Sequence, residues 1–287
     1  MPRNNKIIGK LEEWRQKEEI NPKLIDFCQR LFEIQSRAER HIGTPDHCLT
    51  SDIASKQIEQ GLPLRGFNDL ALDWSLLQDI FVEVTDAFAT YSELFSEFPE
   101  SLNKPEPYPR LSTETVKAWF EGGRLPSLTG VNDLSEHFFE AIIHATFKPF
   151  LVGHSLALLG LVKQERWRRG YCPICGGNPD FAFLDNERGA RWLLCSRCDA
   201  EWLFQRLECP YCGTQDQNAL SYFTDDEGLY RLYVCEKCKR YLKAIDLRRA
   251  KSEVLLPLER LFTFALDAQA REYGYSPGDR ACTRVKR

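Results

Sequence analysis

Between Asp69 and Phe95 the chain places Leu70, Trp74, Leu77, Phe81, Val84, Phe88, Tyr91 and Phe95 at steps of three and four residues. That spacing draws one apolar stripe along a single long helix, with Pro99 as its stop. Lys6–Arg40 repeats the period more weakly, and Pro22 marks a break within it. The stretch "STETVKAWFEGG" carries a capping box that starts at Ser112, with Glu114 beside Thr115, and it ends at Gly122–Gly123. The most apolar helical stretch runs from Leu134 to Val162 and is divided near Pro149. Its core, Ala145–Val162, approaches bilayer length, but Lys148, Pro149 and His154 interrupt it, so a buried helix pair is expected rather than a membrane span. The Pro-rich Asn103–Arg110 reads as a connector. Residues 1–165 are thus expected to form an all-α bundle.

After Arg169 the period shortens to that of strands, and eight of the 11 cysteines fall between Cys172 and Cys238. They form four C-x-x-C pairs: Cys172–Cys175, Cys195–Cys198, Cys209–Cys212 and Cys235–Cys238. The first and third ("CPICG", "CPYCG") have a turn proline and a glycine; the second and fourth ("CSRC", "CEKC") have neither. "PDFAFLDNERGARWLLC" and "NALSYFTDDEGLYRLYVC" both read strand, turn, strand, cysteine, and a further strand follows each second pair, "DAEWLFQRL" and "KRYLKAIDL". This is an internal duplication, and it predicts two tandem three-stranded modules of the zinc-ribbon or rubredoxin type. One site would use Cys172, Cys175, Cys195 and Cys198; the other would use Cys209, Cys212, Cys235 and Cys238. An interleaved pairing is the rival, and the matching hairpin length within each repeat disfavours it. Four thiolates suit Zn(II) or Fe(II/III) equally well, and a site filled by four protein ligands keeps no open position for substrate chemistry. The expected fold class is α+β: a helical domain at 1–165, ribbon modules at 166–207 and 208–250, and a C-terminal helix and tail at 251–287.

Charge supports a division of the chain. Residues 1–165 carry 17 Lys+Arg against 25 Asp+Glu, a net of −8, and residues 166–287 carry 21 against 17, a net of +4. This is not the strong basic field of a nucleic-acid binder. The N-terminal segment has no apolar run and no small-residue cleavage site, so a cytoplasmic protein is expected, whose spaced thiols stay reduced and bind metal rather than forming disulfides. The other candidate ligands read as bland. His41, His47 and Cys48 in "RHIGTPDHC" match no common zinc spacing. His137, His144 and His154 fall on apolar helical stretches, Cys28 is a small buried hydrophobe, and Cys282 has no partner in the pattern. Arg166–Arg169, "RWRR", reads as a solvated linker.

The four pairs come with "RWRRGYCPICGGNP", "CSRCDAEW", "CEKCKRYLK" and the later "LDAQAREYGY". Together, over roughly Arg166–Ser276, they resemble the FdhE family of formate dehydrogenase accessory proteins. The resemblance implies a non-enzymatic cytoplasmic factor that binds the catalytic subunit of a respiratory formate dehydrogenase and assists its maturation before export. It also implies one metal ion, iron or zinc, in each four-cysteine site. The polar tail "GDRACTRVKR" departs from the apolar terminus expected of the family. Two other readings remain open on the residues: a rubredoxin-like protein passing electrons to a client enzyme, and a zinc-ribbon nucleic-acid binder.

Overall fold

A computed structural model of the chain describes residues 3–16, 20–42, 49–95, 98–99, 102, 110–126 and 135–278. His47, Cys48, Cys282 and most of the Asn103–Arg110 connector lie outside them. The backbone divides into two compact units, Met1–Pro45 with Phe67–Gly153, and Asp46–Gly66 with His154–Arg287.

The first unit is helical. It contains α1 (Arg3–Arg15), α2 (Pro22–Ile42), α4 (Trp74–Thr90), α5 (Thr113–Glu121) and most of α6 (Glu136–Leu158). The stripe expected over Asp69–Phe95 forms a shorter helix than its period suggests. The Asp73 carboxylate accepts from the Ser75 and Leu76 amides (3.0 and 3.1 Å), so it caps α4 and fixes the start. The helix gives way to a 3-10 turn at Ser92–Leu94, well before Pro99. Leu77, Ile80, Phe81, Val84 and Phe88 of α4 are buried. Around Phe27 of α2, the rings of Phe88 and Phe95 stand edge-on at 5.0 and 5.3 Å. At α5 the Ser112 hydroxyl accepts from the Thr115 amide at 3.1 Å, and Gly122 closes the helix at φ 73°.

Pro149 does not divide α6. Proline removes one helical hydrogen bond and leaves the carbonyl four residues back without its donor. That carbonyl belongs to Ala145, and the Gln35 side chain of α2 donates to it at 2.8 Å. The helix therefore runs straight through, where two helices were expected. Among the described residues Glu136–Leu161 is long and apolar enough to cross a membrane, but 67% of its apolar window is buried within the protein.

The second unit begins with a helix the apolar period did not reveal, α3 (Ser51–Gln60), capped by Thr50 and ended by Gly61 at φ 72°. Its main body is a mixed sheet of β1 (Pro179–Leu184), β2 (Arg191–Cys195), β3 (Glu201–Leu203), β4 (Leu220–Thr224), β5 (Tyr230–Cys235), β6 (Arg240–Asp246) and the two-residue β7 (Ser276–Pro277). The order is β3-β2-β1-β6-β5-β4, and β7 pairs with β6. The duplicated modules are therefore not separate beads. Strands β1 and β6 pair in parallel, Phe181 opposite Lys243 through Leu184 opposite Asp246, and join the two ribbons into one sheet. Strands covered on both faces read as nearly continuous apolar runs, as "PDFAFL" and "YLKAI" do.

Where a charge enters this interior it has partners. Lys243 reaches Asp267 and the Arg260 carbonyl (2.7 and 2.8 Å). The buried Asp246 carboxylate binds Arg248 and Arg231, both at 2.7 Å, and the Arg248 guanidinium holds its carboxyl below the usual range. The C-terminal region is two helices, α7 (Leu256–Phe262) and α8 (Phe264–Glu272), rather than one. Ala270 and Tyr275 pack with Leu232, Val234 and Tyr241 of the sheet.

Candidate metal centres

Each C-x-x-C pair sits on a tight turn built in the same way. Cys172 accepts at its carbonyl from the Gly176 amide (3.0 Å) and donates from its amide to the Gly177 carbonyl (2.8 Å). Cys209 repeats this with Gly213 (2.9 Å) and Thr214 (2.9 Å). The residue after the second cysteine is left-handed in all four turns: Gly176 (φ 72°), Asp199 (φ 55°), Gly213 (φ 70°) and Lys239 (φ 54°). Glycine takes this conformation freely, whereas an aspartate or lysine pays about 1–2 kcal/mol for it. Asp199 and Lys239 were therefore invisible as turn residues in the sequence, because composition signals such a turn only where glycine stands.

The turns bring the predicted cysteines together in sequential sets. Cys172, Cys175, Cys195 and Cys198 have all four sulfurs within 4.8 Å of one another, and so do Cys209, Cys212, Cys235 and Cys238. In the first set Cys172–Cys198 and Cys175–Cys195 are both 3.5 Å apart, and Cys175–Cys198 3.6 Å. In the second, Cys209–Cys238 and Cys212–Cys235 are both 3.7 Å. A disulfide needs about 2.05 Å. A tetrahedron with metal–sulfur bonds of about 2.3 Å has edges of about 3.8 Å, so both sets fit a tetrahedral ion.

Electrostatics favours the same occupant. Burial pushes the Cys172 and Cys198 thiols well up, whereas hydrogen bonds from Cys172, Cys195 and Cys198 hold Cys175 well below its ordinary value. In the second set burial pushes Cys209 up, and Cys238 up to about 12. Sulfurs this close must share protons unless a cation offsets their charge, and a thiophilic divalent ion is such a cation. An ion held by all four sulfurs of a set would keep no coordination position for a reacting group.

The surroundings of the two sets differ. All four cysteines of the first are buried; Cys212 and Cys238 of the second are only partly covered. The carbonyls of Pro173 and Ile174, inside the first turn, accept from the amides of Leu64 and Arg65 (2.8 and 2.9 Å), a segment more than a hundred residues upstream. The second turn is gripped by Arg260 of α7. Its side chain is 6% exposed, and the guanidinium donates to the Cys195 and Ser196 carbonyls (3.0 and 3.1 Å) and pairs with Asp199 at 3.1 Å and Asp180 at 3.6 Å. Burial alone would push Arg260 down; the two carboxylates outweigh it and hold its pKa above the ordinary value. The fourth turn is held by the segment that follows α8, where the Tyr275 hydroxyl meets Glu236 and the Ser276 amide of β7 donates to the Lys239 carbonyl at 2.8 Å. The third turn abuts the chain before the first: a Cβ on Gly170 would lie 1.9 Å from the Pro210 carbonyl oxygen. None of these supports has a cysteine-like signature in the sequence.

Among the described residues the remaining candidates stay outside both clusters. Cys28 is buried in α2, and burial pushes its thiol up to about 12. The His41 ring meets the Arg37 carbonyl on its own helix at 2.9 Å. His144 lies beside Trp119 and His154 is buried; His137, expected on an apolar face, is exposed and approaches Glu140 at 3.9 Å. The "RWRR" segment is solvated at its three arginines but not at its tryptophan. Trp167 is fully buried and donates to the Tyr171 carbonyl at 2.8 Å, and Arg166 pairs with Glu59 at 2.6 Å.

This part of the chain also carries the clearest likeness to known proteins. Residues 171–206 match the family model described as FdhE, central domain. A protein FdhE homolog of Aquifex aeolicus is 36% identical over 149 residues, which is 50% of this chain and 51% of that protein. Protein FdhE of Escherichia coli O127:H6 is 28% identical over 113 residues, covering 38% of this chain and 36% of its own. A homolog in Shewanella baltica OS185 is 23% identical over 202 residues, 70% and 62% of the two chains. The chain thus spans about half the length of the curated relatives it matches. In fold the likeness is wider: the crystal structure of the FdhE protein from Pseudomonas aeruginosa superimposes with a TM-score of 0.57 over 96% of this chain and 92% of that one, at 21% identity. Residues 171–206 thus match the FdhE central domain, about half of the chain is similar to an FdhE homolog, and the chain shares the fold of an FdhE protein.

Proposed function

We propose that this protein is a cytoplasmic accessory factor for a respiratory formate dehydrogenase. It binds the catalytic subunit and assists maturation or assembly before export, and it is not itself an enzyme. Each four-cysteine set, Cys172, Cys175, Cys195 and Cys198, and Cys209, Cys212, Cys235 and Cys238, holds one iron or zinc ion as scaffold. The observation that carries this reading is the pair of four-sulfur clusters, complete in themselves and set in an FdhE frame. A closed site stabilises a fold instead of activating a substrate. Ribbons with small cores draw folding energy from the ion, on the order of 10 kcal/mol in small zinc domains. The test is affinity capture of the tagged protein from cells that make formate dehydrogenase, with Cys235→Ser as control. Recovery of the catalytic subunit with wild type, and its loss with the variant, is expected; no recovery from cells that demonstrably make the enzyme overturns the reading.

One feature favours a second role. Cys212 and Cys238 are partly exposed, as the ligands of an electron-transferring iron site would be. That role requires iron in the second set and visible thiolate-to-iron absorption that bleaches reversibly on reduction. Zinc alone in both sets excludes it.

A further inference from the structure

The two ends of the sheet are finished differently. At one end β3 is three residues long, and the Gln164 side chain accepts from the Leu203 amide at 3.1 Å. At the other end β4 is five residues, with neither proline nor lysine, and Ser221 through Thr224 are all exposed. Its ladder to β5 is regular, from Leu220 opposite Cys235 to Thr224 opposite Arg231. Beyond its two ends the Glu236 amide donates to Ala219 (2.8 Å) and the Asp225 amide to Tyr230 (3.4 Å). In an antiparallel pair bonded residues alternate, so Ser221 and Phe223 bond to β5, while Leu220, Tyr222 and Thr224 direct their amides and carbonyls the other way. No strand lies on that side among the described residues.

Two aromatic rings frame this edge, one on each face. Tyr222 is 52% exposed and lies against Tyr233 and beneath the Arg231 guanidinium; Phe223 is 39% exposed and meets Tyr273, itself 50% exposed. Sheet edges are ordinarily blunted by charge, proline or cover, because an open one recruits another strand. This edge is instead followed by an acidic turn, Asp225, Asp226 and Glu227, all exposed, where Lys251 approaches Glu227 at 3.6 Å.

We propose that β4 is a docking edge on which an extended, basic segment of a partner polypeptide adds as a further strand, with its lysines or arginines against Asp225–Glu227. The inference rests on the accessory reading above, in which that segment belongs to the client subunit. Main-chain bonds to Leu220, Tyr222 and Thr224 supply affinity, the two rings grip alternate side chains, and the acidic turn selects charge. A second copy of this chain complements the edge poorly. Two β4 strands paired antiparallel would set each acidic turn beside the other's Asp216–Ala219 stretch, which carries a carboxylate and no cation.

The test uses the full chain and a labelled short peptide alternating threonine and valine, ending in two lysines, against the same peptide ending in two glutamates. The lysine probe is expected to bind about tenfold more tightly, the preference fading with salt, and to slow amide exchange at Leu220, Tyr222 and Thr224. Tyr222→Pro removes an outward amide without breaking the ladder to β5. It should abolish binding while metal content and melting temperature stay at wild type. Replacing Asp225, Asp226 and Glu227 by their amides should remove the preference for lysine and leave the outward-amide protection. Equal binding of both probes by wild type, or unchanged binding by Tyr222→Pro, overturns the proposal. So does a wild-type dimer that Tyr222→Pro converts to monomer and the probe does not compete. Probe binding of the expected kind without capture of any formate dehydrogenase subunit would remove the accessory reading and leave the docking edge standing.

Discussion

The two ribbons share a sequence pattern, a turn geometry and a ligand set, yet one is enclosed and the other half-open. In the first, all four cysteines are buried, the Leu64–Arg65 backbone covers one turn and Arg260 locks the other. In the second, Cys212 and Cys238 reach the surface and strand β4 is exposed from Ser221 to Thr224. The duplication supplies four sulfurs at tetrahedral distances in both. Enclosure of the first comes from segments outside the repeat, near residue 64 and at residues 256–262. Ligand geometry and ligand accessibility are thus encoded in different parts of the chain, and one repeat can remain structural while its twin stays reachable.

The largest expected effect separates the two. On the metal reading, Cys175→Ser removes a ligand from a fully buried cluster, leaving polar and charged groups with no route to water. Loss of soluble protein, or of a cooperative thermal transition, is expected. Cys238→Ser opens a cluster that already touches solvent and should cost one metal equivalent by elemental analysis with the fold retained. A chelator added to wild type should correspondingly strip the second set well before the first. Release of both ions at one rate, or equal damage from the two variants, breaks the comparison.

Arg260 tests whether the enclosure depends on the segment outside the repeat. Arg260→Met keeps the apolar stem but leaves Asp180 and Asp199 without their cation and the Cys195 and Ser196 carbonyls without its donors. Breaking a buried pair in this way costs about 3–5 kcal/mol. It should lower the midpoint of chemical unfolding and speed metal release from the first set alone. Arg260→Lys restores the charge without the fork that spans two carbonyls, so it should recover only part of the loss. Unchanged release from the first set would show that the duplication encloses its own site.

What the sequence made legible follows the same line. The four cysteine pairs, their sequential grouping and the strand–turn–strand rhythm were readable because each has a fixed local spacing. The parallel pairing of β1 with β6 was not, since an apolar run shows that a strand is covered but not by what. Pro149 signalled a helix break that Gln35 averts from a distant helix. Trp167 lay within a basic run whose charge concealed its burial. Arg260 carried no cue at all: an arginine on a short helix declares its role only when the fold brings two aspartates and two carbonyls around it. Local chemistry could be read directly, whereas long-range enclosure could not.

The smallest effect is the most discriminating, because the same position is expected to respond with opposite sign in the two ribbons. Asp199 and Lys239 both follow the second cysteine of a turn, and both sit in the left-handed region, at φ 55° and 54°. Glycine would relieve the same backbone strain at either, and it would also raise the entropy of the unfolded chain. At Lys239 the side chain contributes an exposed pair with Glu236, which is worth little. Lys239→Gly is therefore expected to be neutral or to stabilise by up to about 1 kcal/mol. At Asp199 the carboxylate, 5% exposed, faces the buried Arg260 guanidinium at 3.1 Å. Asp199→Gly leaves that charge short of a partner and should destabilise by about 1–3 kcal/mol, net of the relief. Equilibrium unfolding of the two variants side by side measures the sign directly. If both are stabilised, Arg260 holds the turn through the Cys195 and Ser196 carbonyls alone; if both are destabilised, the side chain of Lys239 has a role in the second ribbon equivalent to that of Asp199 in the first.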